Sequence, residues 1–294
     1  MSVYEMLDQY DEKLKNYSDE CVPIYKNSLN KGRQPYELIL KGLFDFYVFC
    51  SYLLDENIIP KDDESSTITK LFIKGSLNLH GIYTCLNSGL NSEAPTLVRS
   101  LLENYLTLKL LLEKDTDERI KLYENFKYVQ QWGSIKKNLD LLEAGIITLP
   151  QFQATNPKHR IDRLEKKFDK IKSDYHPKRP YHWAWKIFKE NHKTPNPSLR
   201  QIAYHLNEQF DYEKTYAVLS ISVHSSPLIE NMIKNGKSFT LVPSFSTRTI
   251  NLTLLSIDYM GKIILEIVRK YSDENTISDM ENYIPAFSLA VSQL

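Results

Sequence analysis

The chain has 294 residues, with 37 Lys+Arg set against 37 Asp+Glu, 42% hydrophobic and 25% charged residues. This is ordinary globular composition, and the zero net charge excludes a general attraction to nucleic acid or acidic membrane, leaving only local patches. The length is enough for a large core, as one big domain or two small ones. Of the cationic residues 28 are Lys and only 9 are Arg, so each Arg in an apolar setting stands out.

The three cysteines, Cys21, Cys50 and Cys85, are odd in number and far apart, without metal-ligand spacing. A reduced, cytoplasmic setting is expected. The N-terminus has no basic region followed by an apolar run, so no signal peptide is expected. No stretch of 18 uncharged apolar residues exists: the closest, Ala94 to Leu112, contains Arg99, Glu103 and Lys109. No membrane association is expected.

Only 9 Gly, few alternating patterns and many runs of period 3.6 predict an all-α fold. Val3 to Tyr17 and Glu20 to Leu29 read as short amphipathic helices, Lys31 to Pro35 as a break, and Tyr36 to Leu54 as an aromatic-rich helix whose rings pack the core. An acidic connection at Lys61–Ser66 leads into Thr67 to Leu90, which ends near Asn87-Ser88-Gly89. Pro95 opens a second central helix to Lys114, at the position where a missing N–H does no harm. On it Arg99 and Glu103 are i,i+4 neighbours, and Leu106 and Leu110 continue the same face.

Asp117 to Leu142 is predicted as a long, more polar helix, with a turn at Gly145 and Pro150. Phe152 to Ile171 is predicted as one helix whose charges, from Lys158 to Lys172, form a solvated surface laced with ion pairs rather than a nucleic-acid surface. Tyr175 to Trp185 is an irregular Pro-, His- and aromatic-rich covering loop. Ser198 to Asn207 is a short helix, Phe239 to Pro243 an extended segment, Thr247 to Tyr271 a further core helix and Ile277 to Ser292 a last weaker one. The expected architecture is a multi-helix bundle around an antiparallel pair, Thr67–Leu90 with Pro95–Lys114. Residues 1–60 form an N-terminal helical region and 61–294 the main helical domain. Its apolar-rich helical surface is compatible with a homodimer.

The most informative stretch is Asp211 to His224, where Tyr212, Tyr216, Ser220 and His224 recur every four residues. On an α-helix they form one polar stripe beside the apolar Ala217, Val218, Leu219, Ile221 and Val223. Pro227 ends or kinks that helix close to the imidazole.

Arg99 and Glu103, in Leu97-Val98-Arg99-Ser100-Leu101-Leu102-Glu103, together with the stripe, resemble a bacterial family of all-helical proteins catalogued as a domain of unknown function. The likeness runs over roughly Thr67 to Pro227 and includes the lead-in Ser198 to Ala203. It implies a helical fold and no particular activity. The residues themselves admit two readings. In one, Arg99 clamps a phosphate or carboxylate with its planar fork, Glu103 orients it, His224 is acid or base, and Tyr212, Tyr216 and Ser220 line the pocket. In the other they form a satisfied hydrogen-bond network that fixes helix register.

A second pair, Arg200 and His205, has the spacing seen in the higher-eukaryote-and-prokaryote nucleotide-binding superfamily. Those helical proteins include metal-independent ribonucleases of toxin–antitoxin and phage-defence systems. That resemblance implies an Arg steadying the scissile phosphate and a His assisting attack by the ribose 2′-OH. In this sequence Gln201 follows the Arg, where that superfamily usually has a smaller polar residue. Two functions are therefore expected as alternatives: a nucleotide- or RNA-directed protein of defence type, or a non-catalytic interaction or sensor protein. Neither a metal nor a cofactor is expected, because no His-x-x-x-His, Cys-x-x-Cys, Gly-rich phosphate loop or Gly-x-Ser-x-Gly elbow is present.

Overall fold

Apolar residues spaced three and four apart carry the chain through a succession of helices, as the computed structural model shows for residues 23, 25–61, 66–175, 182–189, 197–216, 219, 232–235, 238–241 and 243–294. Among these residues the architecture is an all-α bundle with one small hairpin. The helices are α1 (Glu37–Asp55), α2 (Ser66–Asn87), α3 (Ala94–Glu113), α4 (Thr116–Glu143), α5 (Leu149–Thr155), α6 (Lys158–Ile171), α7 (Trp185–Lys189), α8 (Leu199–His205), α9 (Thr247–Tyr271) and α10 (Glu274–Ser292). None is long and apolar enough to cross a membrane. The hairpin pairs β1 (Met232–Asn235) antiparallel with β2 (Ser238–Leu241), Met232 opposite Leu241, so β2 falls in the segment expected to be extended.

The described residues divide into two compact units, one drawn from Met1–Leu108 and Phe210–Leu294, the other Lys109–Gln209. In the first, α2 and α3 are antiparallel. Asn78 of α2 donates to Ser100 of α3 at 3.1 Å, and Asn104, further along α3, reaches back to the Leu71 carbonyl at 2.7 Å. Helix α9 packs on α1, α2 and α10, and its Ile257, Tyr259, Met260, Ile263, Ile264 and Ile267 are fully buried. Helices α2 and α9 meet closely at Gly75: a Cβ there would lie 3.0 Å from the Met260 sulfur.

Gly89 ends the α2 connection at φ +68°, the left-handed region that suits glycine. Its carbonyl accepts from Ser244 N at 2.9 Å. The helix predicted over Thr247–Tyr271 is found with those bounds, its N-terminus capped by Ser246 accepting from Arg248 N.

In the second unit α4 is the spine, packing on α5, α6 and the 3-10 turn His182–Ala184. Trp183 meets Tyr123 edge-on at 5.3 Å, and Trp132 stacks on Phe168 at 5.6 Å.

Three expectations are corrected. The break at Lys31–Pro35 is narrower: residues 25–33 are helical and only Gln34–Tyr36 is a 3-10 turn, with Pro35 at its start, where no N–H is needed. The single helix over Phe152–Ile171 is two helices. Pro157 drives the preceding Asn156 out of the helical region, to φ −132° and ψ 70°, and so separates α5 from α6. The charges of α6 are segregated rather than laced: the one ion pair made by its residues, among those described, is Asp169 with Lys172 at 2.9 Å.

Candidate functional site

The polar stripe on α3 follows from helix periodicity. Arg99 and Glu103 lie one turn apart on the side of α3 that reaches solvent, while Val98, Leu101, Leu102, Tyr105 and Leu106 fill the interior. Their side chains are 24% and 32% exposed, and Arg99 Nε donates to Glu103 Oε1 at 3.3 Å. Alone, an exposed i,i+4 pair of this kind is worth about 0.3–0.5 kcal/mol, too little to decide how helices pack.

Tyr216 makes it a three-membered cluster. Its hydroxyl donates to Glu103 Oε1 at 3.0 Å and accepts from Arg99 NH2. The Arg99 guanidinium also lies over the Tyr216 ring, 4.4 Å from its centroid, a favourable cation–π placement. Tyr212 stacks on Tyr216 with centroids 4.9 Å apart and planes 17° from parallel. Burial, then the adjacent Glu103 charge, push the Tyr216 phenol up to about 12, with Arg99 acting in the opposite direction. Tyr216 is therefore a neutral donor at any physiological pH.

The local backbone departs from the expected regular α-helix. After the short turn Gln209–Asp211 the chain forms a π-helical turn over Tyr212–Tyr216. Such turns close i→i+5 bonds and are over-wide, so the register predicted from α geometry does not apply across them. Ser220 and His224 lie outside the described residues, whereas Leu219 is helical and buried. Thus Arg99, Glu103, Tyr212 and Tyr216, from two distant segments, are brought together.

One member escaped the sequence reading. Lys262 of α9 pairs with Asp211 at 2.5 Å and with Asp258 at 3.1 Å. Its ammonium lies over the rings of Tyr259 and Tyr105, at 5.4 and 5.7 Å. Burial opposes its charge, but the two aspartates outweigh it and raise its pKa. Lys262 thereby fastens the residue that precedes Tyr212 to the core helix. The only sequence signal was a lone Lys in the apolar Ile257–Ile267 run.

Arg200 and His205 belong to the second unit. Five residues apart on a helix, they point roughly 140° apart around its axis. Arg200 is exposed and lies over the Tyr204 ring at 5.4 Å. His205 turns instead to Glu113, Nε2 to Oε2 at 3.1 Å, with Phe188 against its ring at 5.2 Å. Gln201 is explained by capping: Ser198 N donates to its side chain at 2.9 Å and the Ser198 hydroxyl accepts from Gln201 N. Glu113 also receives the buried Arg119 at 2.8 Å, and Arg119 donates further to the Leu110 carbonyl. Burial disfavours the Glu113 carboxylate, yet the bonds from Arg119 and His205 prevail and lower its pKa.

A family model described as a family of unknown function, DUF5677, matches residues 66–239. The chain belongs to the DUF5677 family. The DUF5677 match includes Arg99, Glu103, Tyr212 and Tyr216, and also Arg200 and His205, whereas Lys262 lies beyond it. No curated protein and no solved structure matches the chain.

Proposed function

We propose that the Arg99–Glu103–Tyr216 cluster binds the phosphate of a nucleotide or RNA ligand, in a protein of defence or toxin type. The observation that carries this reading is a guanidinium fixed on two sides, with its third nitrogen unengaged by any described residue. Its Nε is held by Glu103 and its NH2 by Tyr216, while NH1 has no partner among the described residues. Such an edge is pre-organised for an anionic oxygen, and a planar fork suits phosphate. The stacked, partly exposed Tyr212 and Tyr216 rings supply the aromatic surface on which a base can lie. His224 is the acid–base group in this reading, and the chemistry is metal-independent.

The test is binding of a labelled oligoribonucleotide and of mononucleotides by the full chain and its Arg99→Ala and Glu103→Gln variants, each with its melting temperature. Arg99→Ala should lose mononucleotide binding while its melting temperature stays near that of the unsubstituted protein. A Glu103→Gln variant should bind more weakly, because the guanidinium is less well oriented.

A second reading is favoured by one observation: the Tyr216 hydroxyl is engaged by both charges, so the cluster closes on itself. In that reading it is a structural clasp in a non-catalytic interaction or sensor protein. Arg99→Ala would then lower stability and leave no ligand binding to lose.

A further inference from the structure

Helix α6 carries six Lys and Arg against three acids between Lys158 and Ile171. Apart from Lys158, which projects among the acids, its basic residues are sorted to one side. His159, Arg163 and Lys167 recur every four residues, each step a little over one turn or about 6 Å along the axis, with Arg160 beside them. Asp162, Glu165 and Asp169 fall on another face of the helix.

The basic side lines a cleft of about 280 Å³ between α6 and α4, where Tyr128 and Gln131 form the facing wall. Among the described residues no carboxylate pairs with Arg160, Arg163 or Lys167. Arg160 donates only to the Thr155 carbonyl, and Lys167 donates to the Tyr128 hydroxyl at 2.9 Å with its ammonium 4.4 Å above that ring. Three uncompensated cations in one concave strip, on a chain of zero net charge, are a local electrostatic footprint.

We infer that this cleft binds the phosphate backbone of a single-stranded nucleic acid without regard to sequence. One row of cations at one-turn spacing follows one strand; it does not match the two backbones of a duplex. The Tyr128 ring and the Gln131 amide offer a stacking edge and a hydrogen-bonding group beside the row, but no set of donors that would read a base. The site lies wholly within the second unit and uses no residue of the Arg99 cluster, so either can fail alone.

The test is fluorescence anisotropy of a labelled oligouridylate of about 12 nucleotides with the full chain, over a range of salt. Binding should weaken with salt at a log–log slope of roughly −2, corresponding to three phosphate contacts. The triple variant Arg160→Ala, Arg163→Ala, Lys167→Ala should bind about tenfold or more weakly and lose most of that slope. Its melting temperature should hold, because Arg160 and Arg163 are exposed and Lys167 partly so. Glu165→Gln on another face should not weaken binding. A deoxyribonucleotide strand should bind comparably and a mononucleotide far more weakly.

Undiminished binding by the triple variant would overturn the inference, as would no binding at low salt. A mononucleotide that competes as well as the strand would overturn it in favour of a site for free phosphate esters. If Arg99→Ala abolishes binding and the triple variant does not, the cluster on α3 stands and this cleft is refuted.

Discussion

The hydroxyl of Tyr216 donates to the carboxylate of Glu103 at 3.0 Å, joining segments 113 residues apart. Tyr216→Phe removes that bond and the Arg99 bond to the same oxygen, while the ring beneath the guanidinium remains. The expected cost is about 1–2 kcal/mol in a urea denaturation series, since both partners are charged but partly solvated. A loss within error would mean that solvent replaces the hydroxyl without penalty.

The same phenol sets an alkaline signature. Its pKa is raised on folding from an ordinary 10.0 to about 12. The folded state therefore holds this proton more tightly than the unfolded one. The stabilising contribution is complete below pH 10 and is lost as pH rises to about 12. Comparing the pH dependence of stability for the unsubstituted protein and Tyr216→Phe isolates this group from the other 18 tyrosines. Identical curves across that window would contradict the assignment.

Arg119 is the buried cation of the second unit, its side chain 3% exposed beside a Glu113 that is 35% exposed. Arg119→Ala should cost about 3 kcal/mol, the low end for breaking a buried pair because Glu113 keeps some water. Glu113 has a folded pKa below its ordinary 4.5, so its contribution is present above pH 4.5 and is lost as pH falls through the folded value. Glu113→Gln should flatten the acid limb of the stability curve. An unchanged acid limb in that variant would rule out the role given to Glu113.

Where α9 crosses α10, a Cβ on Gly261 would lie 2.6 Å from Ile284 Cγ2. Gly261→Ala should destabilise by about 1–3 kcal/mol through overpacking, read by thermal denaturation. The pair Gly261→Ala with Ile284→Val should recover part of that loss, since Ile284 is what the new methyl meets. No recovery would place the strain elsewhere.

Much of this fold was legible because helix periodicity and proline placement are local signals. The α9 bounds matched residue for residue, and Pro95 and Gly89 marked real boundaries. Pro157 carried an equally local signal that the continuous charge pattern masked. Arg99 and Glu103 were legible as charges at four-residue spacing in an apolar helix and Tyr212 and Tyr216 as a four-residue repeat, but their meeting is a tertiary contact across 113 residues that spacing does not encode. The π-helical turn at Tyr212–Tyr216 was not, because no residue type announces an i→i+5 bond. The role of Lys262 was hidden because the partner it fastens, Asp211, is 51 residues away, and its nearby Asp258 reads as an ordinary i,i+4 pair. The sorting of α6 charges could have been read by projecting its sequence on a helix, and a count of opposite signs concealed it.

In the proposed function Arg99 is held in place to meet an anion rather than to hold the fold. Isothermal titration of a mononucleotide, which the α6 cleft should hold only weakly, into Arg99→Ala, with denaturation of the same sample, measures both quantities at once. If Arg99 serves to meet an anion, binding is lost and stability falls by no more than about 1–2 kcal/mol, as for a partly exposed hydrogen-bonded ion pair. Retained binding together with a loss of about 3 kcal/mol or more would contradict it and make the cluster a clasp.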